Sequence, residues 1–237
     1  MPVAKCDLKL DWATHKAASY ACRNWHYSEC MPAGKMVKIG VWENNVFIGV
    51  VLFSCGASPP LYVWAKRTMD LENTEMCELT RVALNSHVTP VSRILKISFS
   101  FLKKQCPGIK CVISFADIDQ DHSGGIYQAG NWAYLGASNV GGRQGYLVNG
   151  KKMHCRSVGA SAGENSIKGA RRLDPRATEI RTKGKHKYVM PLDSGICPII
   201  RNLAKPYPKR VKKANSGDQS ECGGAVPTHT LHLTGAA

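Results

Sequence analysis

Apolar residues recur along this chain with two periods, and the changes of period mark its elements. Residues 11–25 are rich in alanine and open on Asp11, an acid able to cap a helix start, so a helix is predicted there. Residues 36–42 and 46–54 are β-rich runs joined by Glu43-Asn44-Asn45, which predicts a hairpin. Beyond a loop holding Pro59-Pro60, residues 77–84 alternate as a strand with Leu79, Arg81 and Ala83 on one face. Residues 92–104 carry the 3.6 period of an amphipathic helix that ends near Cys106-Pro107-Gly108. The apolar run 111–116, bounded by turn residues, then reads as a buried strand. Strand, helix, strand in this order is a βαβ unit with a parallel pair, so the chain is of the α/β class. A short helix at 124–132, strand-like pieces around Tyr134 and at 145–148, a loop at 157–165 and a strand at 185–191 complete the pattern, with disorder expected from Pro206 onward.

Charge divides the chain differently from hydropathy. The 237 residues are 43% apolar and 21% charged, ordinary globular values that exclude collagen-like, coiled-coil and wholly disordered classes. The formal net charge is nevertheless +15. Residues 1–150 contribute +4, residues 151–213 contribute +13 and residues 214–237 contribute −2. Three parts follow: a nearly neutral body over 1–150, a basic extension over 151–205 and a disordered tail over 206–237. A field of that sign attracts polyanions, with nucleic acid the leading candidate.

The ten cysteines include no C-x-x-C pair, and the first residues have charges but no apolar leader segment, which points to a reduced, cytosolic protein rather than a disulfide scaffold. No apolar run approaches the roughly 20 residues of a membrane helix.

Candidate chemistry gathers at the carboxyl ends of the predicted parallel strands, where α/β sheets place their sites. Asp117, Asp119, Asp121 and His122 follow one strand, and Asn85, Ser86 and His87 follow the other. An EF-hand is rejected, because the glycines arrive late and no glutamate closes the loop. The acids either serve chemistry or cap the following helix. His26 is a general base, a metal ligand or a structural helix-end residue. Arg81, set among Leu79, Val82 and Ala83, needs an anionic or carbonyl partner; an ion pair with Glu78 or Asp117 is the structural alternative. Ser114 lies in the buried strand and Tyr127 near a helix start. Nucleophile-elbow, Walker, dinucleotide and zincin motifs are absent.

The strings Trp25-His26-Tyr27-Ser28, Pro32-Ala33-Gly34-Lys35, Phe47 to Ser54, Glu78-Leu79-Thr80-Arg81-Val82-Ala83-Leu84, Thr89-Pro90-Val91-Ser92-Arg93, Ser114-Phe115-Ala116-Asp117, Gly125 to Trp132 and His154-Cys155-Arg156-Ser157 together resemble the Mom family of phage DNA-modification proteins, over roughly residues 20–157. The resemblance implies a GNAT-like central mixed sheet flanked by helices, here with a basic C-terminal extension. It implies transfer of a carbamoylmethyl group to adenine N6 in DNA, protecting the DNA from restriction in the cytoplasm of a bacterial host.

Carried over by position, it implies a reaction centre of His26, Tyr27, Arg81, Asp117 and Tyr127 with Ser114 beside them. In it Asp117 serves as base, Tyr127 as acid and Arg81 as the grip on the donor. Iron is associated with the family, with His26 and Asp117 as its candidate ligands. The donor is acetyl-CoA or a glycine-derived group, held near His87, Ser92 and Arg93. GNAT enzymes usually cradle the CoA pyrophosphate with a glycine-rich loop, and residues 85–93 contain no glycine.

Lys151, Lys152, Arg156, Arg171, Arg172, Arg176, Arg181, Lys183, Lys185 and Lys187 would then neutralise the phosphates of double-stranded DNA. Two other readings share the pattern: a GNAT acetyltransferase acting on protein or tRNA, and a nucleic-acid-binding module without catalysis.

Overall fold

The computed structural model describes residues 6–32, 34–55 and 59–209. A seven-stranded mixed sheet is assembled from β1 (Leu8–Trp12), β2 (Met36–Glu43), β3 (Val46–Ser54), β4 (Met76–Leu84), β5 (Cys111–Asp117), β6 (Ala133–Ser138) and β10 (Lys185–Pro191), in the order β1-β2-β3-β4-β5-β10-β6. A second sheet of three strands, ordered β8-β7-β9, is made by β7 (Arg143–Val148), β8 (Lys151–His154) and β9 (Thr178–Arg181). The expected α/β class and central mixed sheet are therefore what the chain forms.

Side-chain size and spacing explain how the helices cover the main sheet. On one face α1 (His15–Trp25) buries Ala18, Ala21 and Cys22 against Val50, Leu52 and Ala83; three small residues on one stripe let the helix approach closely. Farther along that face lie α2 (Pro59–Met69) and α7 (Cys197–Leu203), through Leu61, Ala65, Met69 and Ile200. On the opposite face α3 (Val91–Gln105) buries the stripe Ile94, Leu95, Ser98 and Leu102, and is followed there by the single turn of α4 (Gly125–Gln128). Glu43 closes the far end of β2 by accepting the amides of Val88 and Thr89 at 2.9 and 2.7 Å, which pins the loop before α3.

Several sequence expectations change. Asp11 and Trp12 belong to the edge strand β1; α1 starts later, where the Thr14 hydroxyl accepts the Ala17 amide. Pro59-Pro60 opens α2 instead of a loop, because proline costs nothing in a first turn whose N–H groups have no helical acceptor. Residues 157–165, expected as loop, fall mostly in α5 (Cys155–Ala162). The boundary at 150 also moves. With α5 and α6 (Ile167–Leu173), the small sheet forms a satellite around Tyr146, Val148, Val158, Ala170 and Ala177, so its first strand comes from the expected body. Conversely β10, placed in the basic extension, pairs with β5 over seven positions inside the main sheet. Of the expected tail, residues 206–209 are described, and Tyr207 donates to the Trp132 carbonyl at 2.8 Å; residues 210–237 lie outside the described part.

Candidate active site

Two departures from regular pairing build the site. The parallel strands β4 and β5 pair at only three positions, the last being Glu78 with Ile113, and then separate. Against β3 the register slips: Leu52 faces Arg81 while Phe53 faces Leu79, so Thr80 is the extra residue of a bulge. The bulge reverses the strand's alternation. Leu79 turns to the α3 face, whereas Arg81 and Ala83 turn to the α1 face, correcting the single face expected for all three. It also puts Glu78 and Arg81, three residues apart, on one side of the sheet, because their partners Ser54 and Leu52 are two apart.

A cleft of about 760 Å³ opens where β4 and β5 part, a size within the range of small-molecule sites. Its walls include His26, Tyr27, Glu78, Arg81, Tyr127 and Lys185. Ser114 spans the gap from β5, with its hydroxyl oxygen 2.8 Å from both the Leu79 carbonyl and the Tyr127 hydroxyl. A serine has one proton, and the carbonyl can only accept; the Tyr127 hydroxyl is thereby the donor to Ser114. Burial pushes the Tyr127 pKa up to about 12, with the Ser114 hydrogen bond opposing, so the phenol keeps its proton at neutral pH. Its ring is clasped between Trp132 and Tyr188, each 5.0 Å away between centroids.

His26 ends α1, and its Nδ1 accepts the Ser28 amide at 3.1 Å, which leaves the neutral ring's proton on Nε2. Burial first, then the charges of Arg81 and His122, lower its pKa to about 4. The imidazole is consequently a neutral donor and a poor base, unlike the near-neutral titration expected from the residue type. Tyr27 is 51% exposed, stacked at 4.4 Å and 32° on His26 and met edge-on by His122 at 5.3 Å. A half-exposed aromatic ring at a cleft mouth offers a stacking surface for a planar group.

The Arg81 guanidinium donates to the Thr80 carbonyl at 2.7 Å and to the Cys30 carbonyl at 3.4 Å. Among the described residues it has no carboxylate at ion-pair distance, so the expected structural pair with Glu78 or Asp117 does not form. Asp117 does not line the cleft. It stands at the rim, where one oxygen accepts the Asp119 amide at 3.0 Å and caps the 3₁₀ turn Ile118–Gln120. Its charge, after burial, helps to raise the Tyr27 pKa.

The metal and donor expectations fit less well. Among the described residues no three His, Cys, Asp or Glu side chains converge as a metal ion would require. His26 has one nitrogen occupied by an amide and Asp117 is turned to its own backbone, so these two residues do not form an iron site. At the start of α3, Pro90, Val91 and Ser92 reach the cleft, but Pro90 is the N-cap, carries no amide proton and makes no side-chain cap to the helix. Arg93 directs its amide to the Pro90 carbonyl, and His87 is exposed with Nδ1 2.7 Å from the Asn85 carbonyl; neither lines the cleft. Ser92 is left as the one donor-site candidate there.

The expected DNA-contacting cations separate into groups. Lys151, Lys152, Arg156, Arg171, Arg172, Arg176 and Arg181 lie exposed on the satellite, where residues 143–181 carry nine Lys and Arg against three Asp and Glu. Arg172 is paired with Glu164 at 3.1 Å and Arg181 with Glu179 at 2.6 Å. Lys183 is exposed on the connection into β10, while Lys185 lines the cleft itself. Lys187 lies on the α2 side, its ammonium 3.9 Å from the Trp64 ring centre, and does not belong with the others. Asp119 fastens the satellite to the site by accepting Gln144 Nε2 and the Lys183 amide at 3.0 Å each. Glu78 and the wall position of Lys185 were missed in the sequence because a bulge and a strand separation carry no residue signature.

No helix of the described residues is long and apolar enough to cross a membrane. The sequence pattern of the Mom protein family matches residues 7–209, well beyond the 20–157 of the recognised motifs, so the basic satellite lies inside the matched region. No curated protein matches the chain in sequence. Among solved structures, a protein described as an acetyltransferase, from Acinetobacter baylyi ADP1, is similar at 9% identity and a TM-score of 0.43, over 80% of this chain and 94% of that one. Another, described as a phosphinothricin N-acetyltransferase, is similar at 11% identity and a TM-score of 0.42, over 79% of this chain and 100% of that one.

Proposed function

The chain belongs to the Mom protein family, and from that premise we propose that it is a DNA-modifying transferase that adds a carbamoylmethyl group to N6 of adenine in double-stranded DNA. The observation that carries this reading is the cleft between β4 and β5, whose walls hold His26, Tyr27, Arg81 and Tyr127 together. A base in a duplex cannot reach a centre sunk between strands of a sheet, so the adenine must leave the stack. The exposed cations of the satellite supply the phosphate contacts that hold DNA while it does so.

Each wall residue has a part in such a transfer. Tyr27 stacks on the extruded base, and the Nε2 proton of His26 points a hydrogen bond at a ring nitrogen. Arg81, which has no carboxylate partner among the described residues, holds the donor's carbonyl oxygen. Tyr127 retains its own proton, and rotation of its hydroxyl away from Ser114 presents that proton to a departing group. Asp117 acts from the rim, holding the turn that carries Asp121 and His122. The donor is acetyl-CoA or a glycine-derived group, of which the second already carries the methylene carbon of the product, and no step here depends on a metal.

The reading is tested by producing the protein in bacteria and digesting their DNA with restriction enzymes whose sites contain adenine. Resistance to several such enzymes is expected; complete digestion of DNA from cells rich in folded protein would overturn the proposal.

A further inference from the structure

The neutral amino nucleophile loses a proton as it forms its new bond, and the cleft contains a group suited to take it. His26 is unsuited, with Nδ1 occupied by the Ser28 amide and the other nitrogen protonated. Tyr127 already carries a proton. Asp117 caps its own turn outside the cleft. Asp121 and His122 stand exposed at the mouth. Glu78 differs from all of these. It is half-buried on the cleft wall at the last paired position of β4 and β5, and among the described residues its carboxylate has no ion pair.

We propose that Glu78 is the proton acceptor of the transfer, a role that rests on the transferase reading above. The amino nitrogen forms a bond to the methylene carbon that carries the donor's carbamoyl group, and the bond from that carbon to its leaving group breaks with its electron pair. The nitrogen's proton passes to the Glu78 carboxylate, and the leaving group takes the Tyr127 proton. Charge is thus moved between two groups of one cleft and none accumulates on the base.

The surroundings of Glu78 support this role. Burial raises its pKa, which strengthens the carboxylate as a base, while the charges of Lys185 and then Arg81 oppose that rise. Arg81 acts on it through space from the same strand, because the Thr80 bulge sets both on one face, and Lys185 does so from β10 across the cleft. Its charge is felt by Tyr127 on α4, Tyr62 on α2 and the neighbouring Cys77, none of which is charged at neutral pH.

Wild type, Glu78→Gln and Glu78→Asp are compared for single-turnover modification of a DNA duplex across about pH 5 to 9, in extract that supplies the donor, with DNA affinity measured alongside. Glu78→Gln should slow modification at least about 100-fold with affinity unchanged. Glu78→Asp should keep a measurable rate whose fall on acidification is displaced from that of the wild type. Glu78→Gln within threefold of wild type overturns the proposal and leaves the transferase reading standing. Wild type that leaves adenine unmodified overturns both. If Glu78→Gln does not fold, the aspartate variant decides: an acid limb identical to wild type overturns the assignment.

Discussion

At the scale of single residues, chemistry depends on which polar groups are already engaged. Tyr127 is anchored by Ser114 and wedged between aromatic rings, so removing its hydroxyl leaves the packing intact. Tyr127→Phe should lower the modification rate about 100-fold or more and change stability by less than about 1.5 kcal/mol, checked by nucleoside analysis and thermal melting. His26 makes a different prediction. Its pKa is about 4 folded against 6.5 for a free imidazole, so the folded protein binds this proton less readily than the unfolded chain. The stability this confers is present above about pH 6.5 and is lost as pH falls toward 4. Melting temperatures over that window should fall less steeply for His26→Gln than for wild type; His154 and His186, displaced in the same direction, keep part of the slope. These roles were only partly legible in the residues. His26, Tyr27 and Tyr127 are ordinary side chains until motifs group them, and residue type alone implies for His26 a pKa near neutrality that burial removes.

At the scale of elements, the legible parts were those built on a sustained period. The hairpin of β2 and β3 and the amphipathic α3 follow directly from alternation and 3.6-residue spacing. Local rules misled where two of them competed. Pro59-Pro60 reads as a loop and starts a helix, and Asp11 reads as a cap and sits in a strand, because the cap was Thr14. The bulge at Thr80 was invisible, since an extra residue shows only against the partner strand. The turn before α4 is equally specific: Gly124 has φ +76°, and a Cβ there would meet the Tyr188 ring that holds α4 through the Ser123 carbonyl at 2.6 Å. Gly124→Ala should destabilise the fold by roughly 1–3 kcal/mol in denaturant titration and slow modification, since Tyr127 moves with the turn.

At the scale of the whole molecule, the +15 charge is placed by the fold and not by a tail. The satellite collects exposed cations beside the cleft, Asp119 ties it down, and β10 carries Lys185 from the basic section to the cleft wall. Charge and chemistry are therefore joined through one strand, where the sequence alone had set them in separate regions. Replacing Lys151, Lys152 and Arg156 by Gln should weaken DNA binding uniformly across sequences. It should also reduce the slope of log affinity against log salt by up to about 0.9 per lost phosphate contact, measured by fluorescence anisotropy. The central claim, transfer of a carbamoylmethyl group to adenine, is tested most directly by mass spectrometry of nucleosides from DNA of cells producing the protein. A deoxyadenosine carrying that group, present with wild type and missing with Tyr127→Phe, is the predicted result. Unmodified deoxyadenosine alone, from cells containing abundant folded wild-type protein, would contradict it.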